Sequence, residues 1–393
     1  MKRIPFRLPA LAAGLALLAA CNPDNEIIIG GDPPGEPRNL AAEYRWVFEG
    51  FTNGGQPVGY PVVELTWDVP TDWRDEPFRV YGKRSGGSSF FLVGTVTSCT
   101  DDGCVYRDRN VQSGQSYEYY VATVDEDTGE ETTSEFREEV STAPFDPPAA
   151  PDADSVTALD GAAYVRWTDD ANGDYAARYL VLLTRLGANT YLYQLGETDG
   201  TGFLDERAEN GSVHGYRVAA VSEDGQVSAL SAEITGVPRP DVTAELVYAH
   251  ADDATRSGFR FAGSEDQDPI VGGASASADW RLESDGAGWR IVPLNGAQVA
   301  AFPGRTTALV CGPGADASCR AATRAPSTGF TTSPISISPE FSYVFRVQDT
   351  DGAHYGVIRV TLLGSDSSGR DLMIFDWAYQ LRPNEPRLNV VSN

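Results

Sequence analysis

The chain of 393 residues contains little histidine, methionine and lysine. It has 3 His and 2 Met, and its only lysines are Lys2 and Lys83. No two histidines have the spacing of a zinc site, and neither a nucleophile elbow nor a phosphate-binding loop is present. The sequence therefore assigns no catalytic residue, and we expect a protein that is not an enzyme.

Positive charge is also scarce. The chain has 30 Lys and Arg against 56 Asp and Glu, which gives a net charge of -26. Binding of nucleic acid requires a cationic surface that neutralises phosphates, so no nucleic acid is expected among the partners. The same acidity argues against a body that lies flat on anionic lipid.

The apolar run near the start of the chain is too short to cross a bilayer comfortably as a helix. It covers residues 11–20 and follows the cations Lys2, Arg3 and Arg7. A charged start, a short apolar segment and small residues before a cleavage point are typical of a secretory signal peptide. We predict that residues 1–20 are such a signal.

The end of this signal, Leu18-Ala19-Ala20-Cys21, resembles the lipobox of bacterial lipoproteins. The resemblance implies that Cys21 is lipidated and becomes the new N-terminus, and Asn22 after it fits sorting to the outer membrane. An ordinary cleaved signal with a coincidental cysteine is the alternative. Residues 21–38 are rich in Pro, Gly and acidic residues, so beyond the lipidated Cys they are predicted to form a flexible stalk.

Four further cysteines form two pairs that are close in sequence, Cys99 with Cys104 and Cys311 with Cys319. Turn-forming residues separate the members of each pair. In an oxidising compartment this predicts two local disulfides. The alternative is a metal site, but neither pair has the C-x-x-C spacing and no histidine lies near.

Two segments repeat one pattern of short alternating strands and turns. Trp67 and Tyr117 are 50 positions apart in the first segment, and Trp167 and Tyr216 are 49 apart in the second. Strands with turn signals at such spacing predict β-sandwiches.

The repeated pattern resembles that of fibronectin type III domains. The resemblance implies two tandem immunoglobulin-like sandwiches at residues 39–145 and 146–239. The two Trp would be the core residues of strand B. The two Tyr would be the strand F residues whose hydroxyl bonds a backbone group a few residues upstream.

Two features modify this expectation. The first copy has a longer connection before strand B, over residues 45–60. Joints that contain proline, at 144–151 and 238–240, are stiffer than Gly/Ser linkers. They predict a semi-rigid rod.

Residues 240–393 have no stretch of helical periodicity, and we predict a third, β-rich domain. Alternation in residues 343–347, the turn Asp351-Gly352 and the run 355–360 predict a hairpin. The last strand places Phe375, Trp377 and Tyr379 on one face. With Trp280 and the turn Asn295-Gly296, these features resemble the HmuY family of haem-binding lipoproteins, although the family's Asp after the Trp is absent and Asp279 precedes it instead.

This resemblance implies a possible haem cofactor, for which His250, His354 and Met373 are the candidate ligands. The alternative is that the two histidines are exposed loop residues and that Met373 fills the core. His214 is expected at the surface, at the entrance to a strand.

Asp170, Asn172 and Asp174 form an oxygen-rich loop that could contribute to a Ca²⁺ site. The bidentate Glu of an EF-hand is missing, which favours a solvated acidic turn. No other metal site is predicted.

The sequence thus predicts an all-β lipoprotein of the cell envelope, exported and anchored in the outer membrane. Its C-terminal domain would be presented on a fibronectin-like rod to an unknown protein, glycan or haem ligand. Haem capture, and a role as an accessory protein of glycan degradation, are the two alternatives to this presenting role.

Overall fold

The computed structural model describes residues 33–100, 103–169, 176–263 and 267–392. These residues form 26 strands and one short 3-10 helix, so the predicted all-β class is confirmed. No helix in these ranges has the length and apolarity that a bilayer crossing requires.

The chain divides into two compact units. Among the described residues, unit 1 contains those in 33–43, 64–108 and 116–140, and unit 2 contains those in 44–63, 109–115 and 141–392. The first eight strands are β1 (Arg38–Phe51), β2 (Pro57–Asp68), β3 (Phe78–Arg84), β4 (Phe91–Val96), β5 (Cys104–Asp108), β6 (Ser116–Val124), β7 (Glu131–Thr133) and β8 (Glu138–Ser141).

These strands form two antiparallel sheets. One has the order β1-β2-β5, and the other has the order β4-β3-β6-β7, with β8 also paired to β6. The predicted strand residues Trp67 and Tyr119 are almost completely buried, together with Phe78 and Val121. Burial alternates along β3 and the first half of β6, as expected for sheets with one covered face.

The predicted long connection over residues 45–60 is instead a continuation of β1 and β2 as paired strands. Residues 44–63, called the arm here, belong to unit 2. Phe48 and Phe51 of the arm pack against a buried cluster that includes Leu180 and Leu182 of the following sandwich. The correction has a physical reason, because aromatic side chains at these positions gain by covering an apolar surface.

The second sandwich begins after residue 151. Its strands are β9 (Asp152–Leu159), β10 (Ala162–Thr168), β11 (Arg178–Leu186), β12 (Asn189–Thr198), β13 (Gly202–Asp205), β14 (His214–Val221) and β15 (Ile234–Gly236). One sheet has the order β12-β11-β14-β15, and β13, β10 and β9 lie in the other. Trp167 and Tyr216 lie in the core between them, as predicted.

The remaining strands form two five-stranded sheets and one added edge strand. They are β16 (Asp241–Tyr248), β17 (Gly258–Phe259), β18 (Ile270–Val271), β19 (Trp280–Asp285), β20 (Gly288–Pro293), β21 (Gln298–Arg305), β22 (Ile335–Ser336), β23 (Phe341–Asp349), β24 (Gly352–Ser365), β25 (Asp371–Gln380) and β26 (Val390–Ser392). The 3-10 helix is Ala254–Arg256. The sheet orders are β16-β25-β24-β23-β21 and β18-β17-β19-β20-β22.

An aromatic core lies in this C-terminal region. Phe375, Trp377 and Tyr379 share its inner face as predicted, and Trp280 and Phe259 contribute to the same core. The predicted hairpin is present, since Asp349 pairs with Gly352 across a two-residue turn. Asn295 and Gly296 both have positive φ, at the predicted turn, which joins β20 of one sheet to β21 of the other.

The predicted joint at residues 238–240 is buried and does not form an exposed linker. Arg239 is fully buried, and its Nε donates to the carbonyl of Leu388. Close by, β26 pairs with β9 of the second sandwich. The C-terminal region and the second sandwich therefore share a covered joint and a sheet.

We predict that Phe48→Ala and Phe51→Ala each lower the free energy of unfolding by about 1 to 2 kcal/mol, because each ring loses part of its burial against β11. Urea denaturation measures this loss. Hydrogen exchange should show faster exchange of the β11 amides, since the cover of that strand is weakened.

Phe136→Ala is the matched control, because this ring is 65% exposed. It should change stability by less than about 0.5 kcal/mol. If both arm variants match the wild type in stability and in β11 exchange, the packing described for the arm is wrong.

Candidate functional site

His354, a candidate haem ligand, is committed to structural contacts. Its side chain is 7% exposed. Nδ1 lies 3.1 Å from the carbonyl oxygen of Gln380, and Nε2 lies 2.8 Å from Oδ1 of Asp351. Because both ring nitrogens are occupied, the ring would have to break a contact to bind iron. The alternative of an exposed loop residue is also wrong, since His354 lies within β24.

The other two candidates are held separately. Met373 is 0% exposed and lies in the aromatic core, as the core-filling alternative predicted. His250 is half-buried, with Nδ1 2.8 Å from the hydroxyl of the buried Ser257. None of the three candidates lines the cleft described below.

His214 was expected at the surface, and this expectation is wrong. The residue is 3% exposed. Its Nε2 accepts a bond from the amide of Glu209, Nδ1 lies 3.1 Å from the carbonyl of Ser212, and the ring stacks on Tyr216. These local partners satisfy the polar ring, which is why burial is possible.

Both predicted disulfides are present. The Cα atoms are 4.6 Å apart in Cys99–Cys104 and 5.8 Å apart in Cys311–Cys319. Within the described ranges, no three His, Cys, Asp or Glu side chains are grouped so that they could hold a metal ion. Cys21 and the Ca²⁺ candidates Asp170, Asn172 and Asp174 lie outside the described residues.

Each sandwich contains a buried Tyr–Asp hydrogen bond. Tyr216 donates to Oδ2 of Asp205 at 2.9 Å, and Tyr119 donates to Oδ2 of Asp108 at the same distance. Burial, and then the neighbouring carboxylate, raises the pKa of both tyrosines. The acceptor is an aspartate side chain and not the expected backbone group, and in the first sandwich the donor of this Tyr–Asp bond is Tyr119, two positions after the expected Tyr117.

A cluster of acidic residues surrounds Tyr379 at one end of the C-terminal core. Burial raises the pKa of Asp279 to about 6, against the opposing effects of the amide of Phe261 and the charge of Arg260. Burial and then Asp279, Asp349 and Asp351 raise the pKa of Tyr379. Asp279 is therefore a proton-sensitive group at this end of the core.

The second sandwich and the arm form a cleft of about 200 Å³. It lies over the outer face of the sheet β12-β11-β14-β15, beside the tip of the arm. The amide of Leu230 donates to the carbonyl of Gly55 at 2.9 Å, which holds the tip in place. Hydroxyl, amide and charged groups line the cleft together with leucines: Thr52, Asn53, Thr184, Thr190, Tyr191, Leu192, Arg217, Leu230 and Glu233.

Two charged residues of the cleft have different environments. Glu233 accepts from the Thr184 hydroxyl at 2.8 Å and forms an ion pair with Arg185, also at 2.8 Å. Arg217 is half-buried, and its Nε is inaccessible to solvent without an acceptor. Among the described residues, Glu233 is therefore paired with a counter-charge, and Arg217 is not.

Sequence reasoning did not identify this cleft. One signal was available, because residues 179–182, Tyr-Leu-Val-Leu, form an unbroken apolar run where a half-exposed strand would alternate. Such a run indicates a strand covered on both faces. It does not show which segment provides the second cover, and so it could not place Arg217 in a cleft.

No protein-family model and no curated protein sequence matches the chain.

We predict that Asp279→Asn removes a dependence of stability on pH between about 4 and 6. The folded-state pKa is raised, so the wild type takes up more protons when folded, and the stability from Asp279 is lost as pH rises through this range. Urea denaturation at several pH values should show the variant similar to the wild type at pH 4. At pH 7 the variant should be more stable by about 2 kcal/mol.

Asp285→Asn is the control of opposite sign. Hydrogen bonds from Arg290 and the amide of Ala287 lower the pKa of Asp285, so its contribution is lost as pH falls. A difference between Asp279→Asn and the wild type that stays constant from pH 4 to 7 would contradict the assignment.

We also predict that added haemin shows no Soret shift that depends on the candidate ligands, because His354 has two structural partners and Met373 lies in the core. Absorbance titration of the wild type, His250→Ala, His354→Ala and Met373→Leu should give matching spectra. A shifted Soret band in the wild type that is lost in any of these variants would show that the substituted residue binds the haem iron.

Proposed function

We propose that this protein is a lipid-anchored, non-catalytic binding protein of the cell envelope. It would consist of two fibronectin type III domains and a C-terminal β domain. Anchored by its N-terminus to the outer membrane, it would hold these β domains out toward a ligand or a partner protein.

The repeated strand order is the observation that carries the assignment of the two domains. Each sandwich has a three-stranded ladder with the core Trp on its central strand, β2 or β10. Each also has a four-stranded ladder with a Tyr–Asp bond from its third strand, β6 or β14. The same order in both sandwiches supports two copies of one immunoglobulin-like architecture.

The presented body would be larger than the C-terminal domain alone. The buried joint at Arg239 and the pairing of β26 with β9 support presentation of this domain together with the second sandwich. Either the C-terminal domain or the second sandwich would then be able to contact the ligand.

Among the ligand classes that the sequence leaves open, the cleft favours a glycan. Its hydroxyl and amide groups outnumber its apolar side chains. Recognition of a sugar requires such hydrogen-bonding groups beside an apolar contact surface. An accessory role in glycan degradation is therefore the second candidate function.

The anchor is tested by Cys21→Ser. A cell that expresses the wild type should incorporate radiolabelled palmitate into this protein, and the variant should lose all of the label because the acylated sulfur is absent. Without acyl chains the variant has no membrane anchor, so it should also leave the membrane fraction.

Asn22→Asp is the matched control. It should keep the label but move the protein out of the outer-membrane fraction. Cys21→Ser protein that still carries label, or unlabelled wild type, would refute the anchor.

A further inference from the structure

Arg217 differs from the arginines of this acidic chain that form ion pairs with carboxylates. These include Arg79, Arg107, Arg178, Arg185, Arg281, Arg290, Arg305, Arg359, Arg370 and Arg387. Within the described part of the chain, the buried Nε of Arg217 has no hydrogen-bond acceptor. A half-buried guanidinium without an acceptor loses hydration and gains no replacement for it.

The position of Arg217 in β14 directs it toward the cleft. Tyr216 and Val218, its neighbours in sequence, face the sandwich core, so Arg217 projects from the outer face. Gly55 at the tip of the arm lies over it, since a Cβ added there would come within 3.5 Å of Nη1. The arm therefore lies beside the guanidinium group at the edge of the cleft, which both residues line.

The second charged group of the cleft does not neutralise Arg217. Glu233 already accepts from Thr184 and from two nitrogens of Arg185. With that charge balanced, the cleft has a net positive group in a protein of net charge -26. The planar guanidinium is suited to bidentate binding of a carboxylate.

The other residues that line the cleft indicate which kind of carboxylate-containing ligand fits it. Thr190 and Asn53 offer a hydroxyl and an amide, and Tyr191 is a 45% exposed ring that can lie against an apolar face. A volume of about 200 Å³ is below that of pockets for drug-sized ligands and is enough for a single sugar residue.

We propose that this cleft binds a hexuronic acid residue, with the carboxylate of the sugar held by Arg217. Thr190, Asn53 and the Tyr191 hydroxyl bind the sugar hydroxyls. Because the proposal deepens the binding role given above, it rests on that role. It does not depend on acylation of Cys21.

Calorimetric titration of the purified full chain tests the proposal with sodium glucuronate, sodium galacturonate and trigalacturonate. The acids should bind, and glucose and galactose, which lack the carboxylate, should bind at least tenfold more weakly. Arg217→Gln should reduce the affinity for the acids at least about tenfold, and Arg217→Lys should reduce it less because the charge remains. Tighter binding of trigalacturonate would identify a glycan chain as the source, and equal binding would identify the free sugar.

Arg166→Gln is the matched control, since Arg166 is an exposed arginine on β10 outside the cleft. It makes the same change of charge and should leave the affinity unaltered. If Arg217→Gln lowers the melting temperature, Thr190→Ala provides a second measurement, because it leaves the guanidinium in place and should still weaken binding.

Three results would overturn the proposal. They are no binding of any uronate at millimolar concentration, equal binding of neutral sugars, and binding of N-acetylalanine or acetate as tight as that of the uronates. A protein that incorporates palmitate but gives one of these results would retain the anchored function without this ligand.

Discussion

An antiparallel sheet that is apolar on both faces must be covered on both, and this constraint organises unit 2. The inner face of β11 and β14 is covered by the sandwich core, and the outer face is covered by Phe48 and Phe51 of the arm. The cleft exists because that cover ends at Gly55, beside Leu230. The environment of Arg217 follows from the same arrangement, since it lies on the outer face at the edge of the cover.

The second constraint is the burial of a charge at the joint between the second sandwich and the C-terminal region. Desolvation lowers the pKa of Arg239 to about 10, and the negative charges of Asp241 and Asp160 act against it, so the residue stays charged at neutral pH. A buried charge is costly unless hydrogen bonds and counter-charges offset its lost hydration. The carbonyl of Leu388 accepts from Nε, whereas Nη1 and Nη2 have no acceptor among the described residues, and the one bond places Leu388 against the joint.

Local patterns in the sequence were sufficient for most of the fold. Alternation identified the strands that carry Trp67 and Trp167, Asn295-Gly296 marked a turn that needs positive φ, and the cysteine spacing gave both disulfides. The features that could not be predicted from the sequence are contacts between distant segments. They are the docking of the arm on β11, the burial of Arg239 and the cleft around Arg217. Each joins segments far apart in the chain, and hydrophobic periodicity reports whether a face is covered but not by what.

Because the chain is synthesised from its N-terminus, the arm is exposed before the strand that it covers has been made. Phe51 precedes Leu180 by well over a hundred positions, so the arm leaves the ribosome long before the strand it covers. Domains fold from the N-terminus as they emerge, and contacts between distant segments form late. During that interval the two rings of the arm stay exposed to water, and a polypeptide truncated before β11 would keep an exposed apolar hairpin. Incomplete chains would therefore expose to chaperones and proteases a segment that is covered in the intact protein.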